Sequence, residues 1–133
     1  MSMLVYVHGV VKVPFERDFL FKLLHHAQGL NWQFAEADSE ENISLKYAVD
    51  VVWRRGEHKS VYLDVKIPIE EYWINFSMLP HHDGTIISLS GFDYHAKKSF
   101  RYELDDIDYS PYLEILLKLC DSFIMLSIEA GRV

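Results

Sequence analysis

The groups with the most chemical capacity in this 133-residue chain are seven histidines, twenty carboxylates and a single cysteine. His81, His82 and Asp83 stand in a row, and two imidazoles with a carboxylate are a ligand set for zinc or a similar ion. Adjacency argues against a site, since neighbouring side chains diverge, and no further histidine or carboxylate stands at helical or strand spacing to complete it. His25-His26 has the same defect. The first group reads as a solvated turn, the second as a helix end, and no metal is expected. Asp50 and Asp64 form a better pair: on two strands joined by a three-residue loop they face each other, close enough for one carboxyl to hold its proton and serve as an acid or base. A five-residue loop separates them, and Lys46 and Lys66 share their face, so an ordinary solvated cluster is the stronger reading. Cys120 sits in an apolar run from Ile115 to Phe123 and reads as a small core residue with no nucleophilic role. The six glycines are scattered, leaving no phosphate-cradling loop, and no Gly-x-Ser-x-Gly is present. These absences favour a non-enzyme without a cofactor.

The elements that would position these groups are organised around Ser44 to Ile67. Leu45, Tyr47, Val49, Val51 and Trp53 alternate with Lys46, Ala48, Asp50, Val52 and Arg54. Beyond Gly56, Val61, Leu63, Val65 and Ile67 alternate with Tyr62, Asp64 and Lys66. That period of two predicts an antiparallel hairpin with its odd-numbered face buried.

On the N-terminal side, Leu4 to Val13 reads as a strand, with a bulge or a close backbone approach at Gly9. Pro14 opens a helix over residues 14–28, where Phe15, Phe19, Leu23 and Ala27 recur at four-residue spacing and Gly29 is the stop. Trp32 and Phe34 mark a short strand. On the C-terminal side, Tyr72 to Leu79, Thr85 to Phe92 and Ser99 to Leu104 read as strands, with a turn at Pro80 to Gly84. Ser110-Pro111 starts a second helix. With no Pro or Gly before Gly131, the favoured reading carries it to about residue 129, although Asp121-Ser122 could end it and leave a last short strand. The expected fold is a single α+β domain spanning 1–133, a mostly antiparallel sheet of six or seven strands with two helices, 14–28 and 110–129, on one face.

Half the residues are hydrophobic, 14% are aromatic and 25% are charged, a globular composition. The formal charge of −7 is uneven: up to Lys66 there are 8 Lys and Arg against 9 Asp and Glu, and from Ile67 onward 5 against 11. Such a surface repels nucleic-acid phosphates and anionic membranes and attracts basic partners. No apolar run reaches the ~18 residues of a membrane span, the N-terminal stretch lacks a basic leader, and the lone cysteine suits a reducing cytoplasm.

These properties lead to the expectation of a cytoplasmic, non-catalytic protein-binding module, an inhibitor or immunity-type protein that neutralises a basic partner such as a toxin. Its candidate contact residues are the acidic Glu70, Glu71, Asp105, Asp106 and Asp108, with Trp73 as an aromatic anchor among polar neighbours. The alternative comes from element order. A strand, a short helix, about six antiparallel strands and a long final helix resembles the helix-grip arrangement of START-like proteins. That resemblance implies a sheet wrapped around the last helix and an apolar ligand cavity lined by Tyr47, Trp53, Tyr72 and Phe76. It requires the final helix to continue through Ile128.

Overall fold

Alternation makes Met3–Val11 the first strand, β1: Val5, Val7 and Val11 are fully buried, while Tyr6 and His8 are half-buried on the opposite side. The computed structural model describes residues 3–36, 41–58, 63–66, 74–92 and 110–132. The chain continues through α1 (Arg17–Gly29), β2 (Gln33–Glu36), α2 (Leu45–His58), β3 (Leu63–Lys66), β4 (Ile74–His81), β5 (Gly84–Phe92), α3 (Ser110–Leu119) and β6 (Phe123–Arg132). The strands form one sheet in the order β2-β3-β4-β5-β1-β6, every neighbouring pair antiparallel. This is the expected α+β class, with three helices among the described residues where two were expected; the strand expected at Ser99 to Leu104 lies outside the described residues.

One face of the sheet and all three helices share a single core. From the sheet come Val5, Val7, Phe34, Leu63, Val65, Ile74, Phe76, Met78, Ile87 and Leu89; from the helices come Leu20, Leu24, Val49, Val52, Tyr112 and Leu116 among others. Trp32 meets Phe76 edge-on, ring centres 6.0 Å apart at 86°. Burying side chains of this size stabilises by roughly 1.5–3 kcal/mol each, which makes this layer the main cohesive contact of the fold.

The expected hairpin from Ser44 to Ile67 is the largest correction. Its first arm is helix α2; of the second arm the described residues, Leu63–Lys66, are strand, paired with β2 and β4, and Val61, Tyr62 and Ile67 lie outside the described residues. Ala48 and Val52, assigned to the solvent face of a hairpin, are 0% and 1% exposed, while Tyr47, assigned to the core, is 41% exposed. Leu45, Ala48, Val49 and Val52 fall at i, i+3, i+4 and i+7, a helical stripe overprinted on the alternation. Ser44 caps this helix: its Oγ accepts the Tyr47 amide at 3.2 Å and its carbonyl accepts the Ala48 amide at 2.9 Å. The expected face-to-face Asp50 and Asp64 are consequently apart. Asp50 lies on α2 in an ion pair with Arg17 of α1, and Asp64 stands on β3 between Ala35 and Asn75.

The first helix begins at Arg17, three residues after Pro14. Glu16 is still extended at its N-cap, and Phe15 lies flat on Trp53 of α2, ring centres 5.3 Å apart, so the preceding segment is held by packing outside the helix. Its C-terminus closes on Asn31, not Gly29. Asn31 takes the left-handed conformation at φ 67°, its amide bonding the Gln28 carbonyl and the Trp32 amide bonding that of Ala27. This six-to-one and five-to-two pairing satisfies carbonyls the helix end would leave bare.

The C-terminal correction removes the helix-grip alternative. The last helix stops at Leu119, not at 129, and Phe123–Arg132 is a strand laid antiparallel along β1. Asp121 and Ser122 interrupt the helix, with Ser122 Oγ donating to Asp121 Oδ1 at 3.2 Å. Phe123 then covers Gly9, where any Cβ would collide with its ring; the close neighbour at Gly9 is this side chain, where a bulge or a close backbone approach was expected. The irregularity in pairing falls between Val10 and Val11, with Ile124 as the extra residue. With a strand in the final position, the helix-grip cavity has no central helix to surround. Phe76 is fully buried, Trp53 stacks on Phe15, Tyr47 is exposed on α2, and Tyr72 lies outside the described residues.

Candidate partner-binding face

The sheet face away from the helices is built by the even-numbered residues of β1 and their partners, and the register sorts it into three rows. Leu79, Ile86, Val10 and Met125 form an apolar row across β4, β5, β1 and β6. Ser77, Ser88, His8 and Ser127 form the next. Asn75, Ser90, Tyr6 and Glu129 form the third. A shallow trough of about 290 Å³ runs along the first three strands of these rows, its walls including Tyr6, His8, Asn75 and Ser88. Aliphatic residues at one end, hydroxyls in the middle and an aromatic beside a carboxylate at the other end make a graded surface. Such a surface suits a partner with both apolar and hydrogen-bonding groups.

His8 is the centre of this face. Its Nδ1 lies 2.8 Å from Ser88 Oγ, its Nε2 lies 3.6 Å from Glu129 Oε2, and its ring stacks on Tyr6 with centres 6.0 Å apart. Hydroxyl, imidazole and carboxylate in line are the parts of a serine nucleophile, its base and the base's orienting group. Two features of the described residues differ from an assembled triad. Glu129 is 71% exposed and stands beyond hydrogen-bond distance. Ser88 lies in mid-strand of β5, which pairs on both sides, so the surrounding backbone amides are committed to the sheet and none is free to hold an oxyanion. The cluster lines up polar groups on the open face of the sheet.

No sequence signal joins His8 to Ser88 and Glu129, which are 80 and more than 100 residues away; strand register alone brings them together. The contact residues expected from composition, Glu70, Glu71, Trp73, Asp105, Asp106 and Asp108, all lie outside the described residues, as does Tyr62. Of the other expected groups, Cys120 is partly buried against the core, its amide bonded to the Leu116 carbonyl. His26 donates from Nε2 to the Lys118 carbonyl at 3.1 Å, joining α1 to α3, and His25 stacks on Phe21.

His81, His82 and Asp83 do not diverge. The chain reverses at this two-residue turn, His81 facing Gly84, and one ligand atom of each side chain lies within 4.8 Å of the others. Gly84 permits the reversal: it has φ 146°, and a Cβ there would collide with the Val11 carbonyl oxygen.

Among the described residues no helix is long and apolar enough to cross a membrane. No family model matches the chain, and no curated protein does. Among solved structures it is similar to a chain of the 1.75 Å crystal structure of the toxic C-terminal tip of CdiA from Pseudomonas aeruginosa in complex with immune protein. The TM-score is 0.40 and the identity 13%, over 98% of this chain and 86% of that one. A likeness of that degree carries no argument about what this chain binds.

Proposed function

We propose that this chain is a non-catalytic module that binds a basic protein through the open face of its sheet, acting in the cytoplasm in the manner of an inhibitor or immunity protein that masks a toxin. The observation that carries the reading is the three-row face. It presents a half-buried aromatic and imidazole, four serines and one carboxylate across four strands. Protein interfaces use this mixture of an aromatic anchor and a hydrogen-bonding surround. The formal charge of −7 supplies the attraction for a basic partner. Glu70, Glu71, Trp73, Asp105, Asp106 and Asp108, outside the described residues, remain proposed contact residues by their chemistry.

The test uses basic toxin-type proteins encoded beside the gene for this chain, with affinity measured by calorimetry. Tyr6→Ala and Ser88→Arg are expected to weaken binding by ~2 kcal/mol or more, as for anchors near the centre of an interface. Gln28→Arg, exposed at the end of α1, is the control and should change affinity little. Equal loss at Gln28, or none at Tyr6 and Ser88, would place the contact elsewhere on the molecule.

A further inference from the structure

The turn joining β4 to β5 carries a ligand set independent of the sheet face. His81 is half-buried and His82 and Asp83 are exposed, so the latter two side chains reorient without disturbing the core. The two imidazole rings lie 4.1 Å apart, and His82 Nε2 is 3.0 Å from Asp83 Oδ2. Donors bound at 2.0–2.2 Å to a tetrahedral ion stand about 3.3 Å from one another. One pair therefore already has near-ligand spacing. The ligand atoms of all three lie within 4.8 Å of one another, and the two exposed side chains, His82 and Asp83, are not held in place by the core. The Asp83 carboxylate supplies the negative charge that a cation between two neutral rings needs.

Two local features oppose the ion, and neither is prohibitive. The Asp83 amide donates to His81 Nδ1 at 3.1 Å, so an ion using that lone pair must displace one solvent-exposed hydrogen bond. Lys12 lines the same open groove of about 510 Å³, with Pro14, Phe15 and Pro80, and contributes positive charge nearby. The short hairpin helps binding: Gly84 fixes the reversal, and the backbone carrying the ligands is anchored by the β4–β5 ladder on both sides. Imidazole and carboxylate together select zinc, copper or nickel over calcium or magnesium.

We infer that His81, His82 and Asp83 form a three-ligand site for a divalent transition ion, zinc by donor type, with its remaining coordination positions open to the groove beside Lys12 and Phe15. The site does not depend on the sheet-face reading. A zinc ion held by three protein groups keeps a position for water or for a donor group from another molecule.

Titration of the full chain with zinc chloride in a calorimeter, and with cobalt as a spectroscopic substitute, tests the assignment. One ion per chain is expected, with ligand-field absorption on adding cobalt. His82→Ala and His81→Ala should each weaken zinc binding by about tenfold or more, a loss of ~1.4 kcal/mol or above. Far-UV circular dichroism should remain that of the parent chain in both. Lys12→Met, which removes the opposing charge and no ligand, should tighten binding. Zinc binding unchanged in the His81→Ala/His82→Ala double variant, which keeps the other five histidines, would overturn the assignment, as would no saturable binding by the parent chain.

Discussion

Gly84 is the residue on which the β4–β5 turn depends. The central pair of the turn, His82 and Asp83, keeps negative φ, and Gly84 takes up the reversal at φ 146° with the Val11 carbonyl against the side where a Cβ would stand. Gly84→Ala is expected to destabilise the fold by about 2–4 kcal/mol in denaturant unfolding, because strained backbone and a contact with main-chain atoms cannot both be relieved. An exposed substitution one residue earlier, Asp83→Asn, should lie within ~0.5 kcal/mol of the parent. The turn at Pro80 to Gly84 was legible from its composition, since Pro and Gly are strong punctuators. The convergence of its side chains was not, because adjacency in sequence fixes direction only when the backbone path is known. His8, Ser88 and Glu129 show the same limit at long range: each is an unremarkable residue in its own strand, and the cluster exists only in the register.

Helix α2 shows how one sequence can satisfy two periods. Val and Trp at every odd position from 49 to 53 favour a strand by propensity, while Leu45, Ala48, Val49 and Val52 make a helical stripe. Tertiary packing chooses the helix, because α2 lies against α1 and over β2, β3 and β4, completing the core above Phe34 and Phe76. The choice makes two substitutions unequal in cost. Val52→Asp, at 1% exposure, should cost about 3 kcal/mol or more in chemical denaturation, since it buries an unpartnered carboxylate. Tyr47→Ser should cost ~1 kcal/mol or less, the worth of its exposed hydrogen bond to Glu36 at 3.0 Å and its contact with Arg54. A hairpin would reverse that ranking. Two signals in the sequence favoured the helix: Ser44 at the N-cap, and apolar Ala48 and Val52 on the supposedly solvated face. At the other end of the chain, Asp121-Ser122 was the legible mark of the boundary before β6. What was not legible was that β1 had an edge for the following strand to cover.

At the scale of the molecule, the α+β class and the antiparallel sheet with helices on one face followed from alternation in β1, β4 and β5 and from the four-residue spacing in α1. Those segments each show one period only. The proposed contact surface was less accessible: composition pointed to carboxylates in the C-terminal half, whereas the described face is mostly neutral and is assembled from four strands spread between residues 3 and 132. The two combine in one account, in which acidic charge draws in a basic partner and the sheet face makes the close contacts. Such a division has a kinetic signature, since long-range attraction acts on the encounter and short-range contacts act on dissociation. The most direct measurement is the association and dissociation rate of the chain with a basic toxin-type protein encoded beside it, by stopped flow over a range of salt concentrations. The account predicts an association rate that falls by tenfold or more between about 10 mM and 500 mM salt. It also predicts that both Tyr6→Ala and Ser88→Arg speed dissociation, the neutral Tyr6→Ala leaving the salt slope unchanged and the added positive charge of Ser88→Arg making it shallower. Binding insensitive to salt and to both sheet-face variants, or no binding to any such partner, would contradict it.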